Sequence, residues 1–248
     1  NLPLFNGAAS LKISQIDKYL ENSKTNNKNS NLGGLFKIKH KSHFLMIDID
    51  KPPQKKFSKS YQSGPLSFEY FLDGTKIITN SGFGNRISKK AELLSRLTAC
   101  QSTLTINETS ITKFEKNEMI NKVFGNSIKN TFKSFDVSEI NESDLIGCSA
   151  SNNGYEKKFG CTHKREVYLD KKDNFLKGID HIFKAKDGYP IRYAFRFHIN
   201  PELNVIKTMS GNSALIQISK NKSLLFTINN ENLDIEKSIF LGDKKIID

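Results

Sequence analysis

Two side chains one residue apart, His163 and Arg165, carry the strongest chemical signal in the sequence. Residues i and i+2 of a strand share a face. A strand over Thr162–Leu169 therefore sets an imidazole beside a guanidinium, with Val167 and Leu169 continuing the row. Such a pair can neutralise a carboxylate, and an imidazole can move a proton near neutral pH. The same pair equally suits a histidine at the core edge and an arginine in a structural ion pair. Alternation along Tyr193–Asn200 places Arg196 and His198 opposite Tyr193, Phe195, Phe197 and Ile199. The aromatic row reads as core; the polar row either lines a cleft or faces water. His40 and His43 flank a turn and share no ligand spacing with any Cys or carboxylate, so both are expected on the surface. His181, beside Asp180, completes an edge strand. Cys100, Cys148 and Cys161 are an odd count, which favours free thiols. Asn107, Asn141 and Asn221 open glycosylation triplets, which an Asn-rich chain produces by chance.

The elements that must position these residues are short and strand-like. Leu35–Lys39 and Phe44–Asp48 form a hairpin around His40-Lys41-Ser42-His43. Leu66–Leu72 and Lys76–Thr79 form another around Asp73-Gly74, a dipeptide suited to a type I′ turn. Thr103–Ile106 pairs with Ile111–Phe114. Leu145–Ala150 pairs with Tyr155–Gly160, and Thr162–Leu169 with Phe175–Phe183. Tyr193–Asn200, Val205–Ser210, Ala214–Ser219, Leu224–Ile228 and Asp234–Leu241 follow as further strands. The polar excursion from Lys116 to Asn141 carries helical spacing at Met119, Ile120, Val123 and Phe124 and reads as an insertion. Many short strands, spaced roughly 8–12 residues apart with little helix between, predict an all-β, antiparallel β-sandwich. Missing crossover helices exclude a parallel α/β sheet.

Composition sets the outer bounds. The 248 residues contain 38 Lys and Arg against 26 Asp and Glu, a formal charge of +12. Part of that excess matches the Lys-, Asn- and Ile-rich bias of an AT-rich coding sequence; part is available to attract anionic partners. No apolar run is long enough for a membrane span. Three Cys and fifteen Gly exclude disulfide-framework and collagen-like classes. Nucleic acid is disfavoured as a partner, since no aromatic-rich strand interleaved with Lys and Arg is present. Ser10–Leu20 has the spacing of a short helix, and the polar stretch Glu21–Asn31 reads as a connector. Residues 1–32 are thus expected to be an interdomain linker, opening a fragment without initiator Met or leader, and 33–248 the sandwich.

Several segments together resemble the C-terminal domain of the heparinase II/III-like family. Ser63-Gly64-Pro65-Leu66-Ser67-Phe68-Glu69 followed by Lys76–Gly82 resembles its "LSFEL" element and next strand. Thr98–Leu104 resembles the element after that. Phe159–Arg165 resembles its "HxR" strand, and Phe195–Pro201 its "hFHxxP" strand. The resemblance implies a β-sandwich that follows an α-helical toroid domain, in polysaccharide lyases that are often periplasmic and cleave uronic-acid-containing chains by β-elimination. That reaction needs a base for the proton α to the uronate carboxylate, a group that holds the carboxylate as charge builds, and an acid for the leaving oxygen. The resemblance implies His and Tyr for the proton work, some of them from the toroid, and often a structural metal.

This sequence departs from that pattern. The family's histidine-rich turn falls on Ser60-Tyr61-Gln62-Ser63-Gly64, and a further family histidine falls on Gln101. Neither Ser nor Gln replaces imidazole as base or zinc ligand, so no metal and no other cofactor is expected. Gln62 and Gln101 remain able to hydrogen-bond a sugar or carboxylate. Tyr61 serves either as a base, if its pKa is lowered, or as a packing lid. The expected site thus joins His163 and Tyr61 as catalytic candidates with Gln62, Gln101, Arg165, Arg196 and His198 as substrate-binding ones. The expected partners are an acidic polysaccharide and the chain's own toroid domain. A carbohydrate-binding sandwich without catalysis is the alternative.

Overall fold

The computed structural model describes residues 31–32, 34–184, 191–229, 231–242 and 247. The expected helix over Ser10–Leu20 lies outside them. The fold is all-β and antiparallel. The first sheet contains β1 (Asn31–Leu32), β2 (Leu35–His40), β3 (His43–Asp48), β4 (Phe68–Leu72) and β5 (Thr75–Thr79), with β12 (His198–Ile199) on its edge. The second has the order β10 (Phe175–Lys184), β9 (Cys161–Asp170), β8 (Leu145–Asn152), β7 (Ser134–Asn141). β13 (Asn204–Lys207), β14 (Ser213–Ser219) and β15 (Lys222–Thr227) make a third, and β6 (Leu104–Ile106) pairs with β11 (Tyr193–Phe195).

Alternation explains the main core. Phe36 and Ile38 of β2, Leu45 and Ile47 of β3, Phe68 and Tyr70 of β4, and Ile77 and Ile78 of β5 meet Cys148, Ala150, Val167 and Leu169 of the second sheet and Ile216 of β14. Turn chemistry fixes the hairpins. Asp73 (φ 51°) and Gly74 (φ 77°) take the left-handed pair that the β4–β5 turn needs. Gly147 is required for another reason. A Cβ there would lie 2.2 Å from the Val167 carbonyl oxygen, so β8 and β9 approach closely only because it is absent. A second core gathers Tyr61, Leu104, Ile106, Ile111, Ile128, Phe132, Tyr155 and Cys161.

Several expected strands take other forms. Tyr155–Gly160 is not a strand: Glu156–Phe159 forms a helical turn ended by Gly160 at φ 64°. Tyr155 and Phe159, four residues apart, put their rings 6.0 Å apart on one side of it. Ile111–Phe114 does not pair with β6, because serine and threonine hydroxyls take its amides: Ile111 N–H donates to Thr98 Oγ1 (3.0 Å) and Thr112 N–H to Ser63 Oγ (3.2 Å). Tyr193–Asn200 breaks after Phe195, so its ends join different sheets. Asp234–Leu241 is an extended strap held mostly by side chains. Glu231 accepts from Tyr193 (2.6 Å), Asp234 from Lys207 (3.3 Å) and Glu236 from Arg196 (3.2 Å), before Leu241 N–H reaches the Ser81 carbonyl. The Lys116–Asn141 excursion holds the expected helix, α2 (Glu118–Phe124), after α1 (Lys89–Ser95), but it ends as the exposed edge strand β7. His43 is not on the surface: it is 5% exposed, with Nδ1 2.8 Å from the Tyr70 hydroxyl.

Candidate functional site

The β9–β10 hairpin builds the charged centre. Pairing Asp170 with Phe175 puts Asp180 directly across from Arg165, on the face that also carries His163. Arg165 clasps Asp180 with two hydrogen bonds, Nε to Oδ1 (2.7 Å) and Nη2 to Oδ2 (3.0 Å). Its Nη1 donates to the carbonyls of Leu66 and Ser102, each at 2.8 Å. His163 Nε2 is 2.7 Å from Asp180 Oδ1. Burial alone would raise the Asp180 carboxyl, but the Arg165 guanidinium and the His163 hydrogen bond outweigh it and hold it well below the usual range. Burial lowers the His163 pKa despite Asp180, so the ring is neutral at pH 7 and donates its Nε2 proton to the carboxylate.

The two carbonyls on Arg165 belong to the segments that carry Gln62 and Gln101. Gly64 sits between them. A Cβ there would lie 2.9 Å from Gln101 Cβ and Cγ and 2.7 Å from Ser67 Oγ. Gln101 is fully buried, donating Nε2 to the Ser95 carbonyl (2.8 Å), while its Oε1 has no partner among the described residues. Ser102 is the junction. Its N–H donates to Asn80 Oδ1 (2.8 Å), its hydroxyl donates to the Thr79 carbonyl and accepts from the His198 N–H (2.9 Å), and its carbonyl accepts Arg165. Ser63, Thr98 and Thr112 join their hydroxyls into a chain behind the turn. Arg96, 0% exposed, holds that turn by donating to the carbonyls of Tyr61 (2.9 Å) and Ser58 (2.8 Å).

The fold therefore brings the backbones bearing Gln62 and Gln101 together with the His163–Arg165 pair. All four side chains are buried, and Gln62, at 8%, is the most exposed. The ring of Tyr61 leaves this group for the second core, 6.3 Å from Phe132. Burial pushes its hydroxyl well above the ordinary tyrosine value, with Asp48 and Asp50 adding to the effect. His198 Nε2 bonds the Ala99 carbonyl (2.9 Å), and its Nδ1 lies 3.3 Å from both Ser81 and Ser238. Burial lowers its pKa too. Arg196 turns to the strap. Metal ligation does not fit the residues present: Gln101 Nε2 and Ser63 Oγ are committed within the protein, and no group of three His, Cys, Asp or Glu converges among the described residues. The three cysteines are free, and no described helix is long and apolar enough to cross a membrane.

Sequence reasoning missed Asp180, Ser102 and Arg96. Asp180 was one residue out of reach: the expected strand ends set Ile179 opposite Arg165, and the observed pairing of Asp170 with Phe175 shifts Asp180 into that place. Ser102 and Arg96 gave no signal, since both act through backbone groups distant in sequence.

The fold resembles solved lyases. The heparan sulfate lyase HepC of Pedobacter heparinus superposes with a TM-score of 0.66 at 16% identity, over 94% of this chain and 35% of that one. A mutant of the same protein gives 0.68 at 15% identity with the same coverage. A heparinase III gene product gives 0.64 at 12% identity, over 86% of this chain and 31% of that one. The chain thus spans about a third of the length of these proteins. No curated protein sequence matches it. The family described as "Heparinase II/III-like, C-terminal" matches residues 23–246, nearly the whole chain, and to that family the chain belongs.

Proposed function

We propose that the chain is the β-sandwich part of a polysaccharide lyase that cleaves an acidic, uronic-acid-containing polymer by β-elimination, working with an α-helical toroid domain. The observation that carries this reading is the Arg165 guanidinium, which ties the Leu66 and Ser102 carbonyls together and so fixes the turn bearing Gln62 against the element bearing Gln101. Heparan sulfate, the substrate named for HepC, is the first polymer to try. In this reading Arg165 and His163 are positioning residues. Arg165 has its charge matched by Asp180, and His163 spends its proton on the same carboxylate. Gln62, the most exposed of the four at 8%, is the candidate sugar contact in this reading. The tyrosine at position 61 is too deeply buried to serve as the base, so proton transfer falls to the toroid.

A second reading, a polysaccharide-binding module without catalysis, is favoured by the burial of both His163 and Tyr61. One experiment separates them. The chain, alone and with its toroid domain, is incubated with heparan sulfate and other uronate polymers while the ultraviolet absorbance of the unsaturated product is followed and binding is measured. Product supports the lyase; binding without product in either form supports the module. Neither product nor binding with any acidic polymer refutes both.

A further inference from the structure

Part of the positive charge of the chain lies in two short segments that the fold joins. Residues 55–59 and 113–129 hold seven lysines against two glutamates, a net +5 out of the +12 of the whole sequence.

The fold brings the two segments side by side. The 3-10 turn Lys55–Phe57 lies beside α2. Ile128 N–H donates to Ser58 Oγ (2.9 Å), joining the two segments through a backbone amide and a side-chain hydroxyl. The buried Glu115 carboxylate braces them. It accepts from the N–H groups of Lys116 and Asn117, both at 3.0 Å, and lies 3.4 Å from the Lys129 ammonium and 3.7 Å from that of Lys55. Arg96, stacked 4.1 Å over the Phe114 ring, fastens the lobe to the Ser58–Tyr61 backbone. Lys56, Lys59, Lys113, Lys116 and Lys122 are exposed and form no ion pair with any described residue.

The lobe also exposes apolar surface. Phe57 is 68% exposed, and Met119 and Val123, one helical turn apart on α2, are 76% and 73% exposed. Lys56 sits 4.8 Å from the centre of the Phe57 ring. An exposed ring with one ammonium over a face and further unpaired lysines on the same two segments matches a pyranose polymer, whose C–H face lies on the other face of an aromatic ring while its carboxylates and sulfates meet cations. Phe57 is four residues before Tyr61, so the lobe runs directly into the turn bearing Gln62.

We infer that the Lys55–Lys59 turn and α2 form a landing surface for an acidic polysaccharide, with Phe57 as its platform and Lys56, Lys59 and Lys122 as its anion contacts; this rests on the polysaccharide reading above. The test uses the 248-residue chain and immobilised heparan sulfate at low and high salt. Lys56→Gln, Lys59→Gln and Lys122→Gln together should weaken binding about tenfold at low salt and flatten its salt dependence. The same charge removed at Lys172, Lys177 and Lys220, all exposed on other elements, should weaken it less than about twofold. Phe57→Ala alone should weaken binding at both salt concentrations. Unchanged thermal melting of each variant verifies the fold. If both triple variants bind alike, the landing surface is wrong while the polysaccharide reading stands. If the unaltered chain binds no heparan sulfate, the reading beneath falls for that polymer, and with it this inference. Binding to vesicles containing anionic phospholipid, with none to heparan sulfate, assigns the surface to a membrane and overturns the proposal.

Discussion

Asp48→Asn should stabilise the protein, and more so as pH rises. Asp48 ends β3, 6% exposed, with its backbone N–H on the Ser67 carbonyl and its carbonyl accepting from Leu66. The side chain accepts from the Asp50 N–H at 3.2 Å, a long bond that an asparagine oxygen can also accept. Burial, with the Asp50 charge adding, raises the carboxyl from 3.8 to about 7 against that hydrogen bond. A raised folded pKa makes a stabilising contribution only while the group is protonated in both states, and that contribution is lost as pH climbs from the unfolded value through the folded one. The gap is about three pH units at roughly 1.4 kcal/mol each, so ionisation costs ~4 kcal/mol by about pH 8 and ~2 kcal/mol near pH 5. Asparagine removes this cost. Urea unfolding of both proteins across that range should show the variant more stable, with a gap that widens towards high pH. The depressed His43, His163 and His198 act the other way, losing stability as pH falls below about 6.5, but they are common to both proteins and cancel. A difference that stays flat with pH, or a variant less stable at high pH, refutes the reasoning.

Three further outcomes follow from the site. Arg165→Met should cost about 3–5 kcal/mol in urea unfolding, because it strands the buried Asp180 charge; pairing it with Asp180→Asn should recover much of the loss. Tyr61→Phe removes a buried hydroxyl with no partner among the described residues, so it should be neutral or stabilising by about 1 kcal/mol. In any preparation that forms unsaturated product it should leave the rate unchanged, and a large drop would make Tyr61 the base after all. Gly64→Ala should destabilise by about 1–3 kcal/mol, since its Cβ meets Gln101 and Ser67 inside van der Waals contact. A melting temperature unchanged from the parent would contradict that packing.

The sandwich was legible because its strands bury one face. Along β9 the row Cys161, His163, Arg165, Val167, Leu169 is buried throughout while the residues between them are half-buried, and Asp73-Gly74 announces the β4–β5 turn. Period two failed where another force used the same spacing. Tyr155, Lys157 and Phe159 alternate as a strand would, yet Asn152 Oδ1 accepts the Gly154 N–H and starts a helical turn instead. The edge strand β7 exposes both faces, so it carries no pattern to read. Within the site, His163 and Arg165 were visible as a pair; what they do depends on Asp180 and on two backbone carbonyls, and a carbonyl leaves no mark in a sequence.

The break at Arg196-Phe197 has a mechanical consequence. One uninterrupted segment is hydrogen-bonded to β6 at its start and to β5 at its end, while Phe197 wedges between Phe68 and Phe226. Neither layer can slide or fray without dragging this crossing thread, so the amides along it should open to solvent as one cooperative block rather than strand by strand.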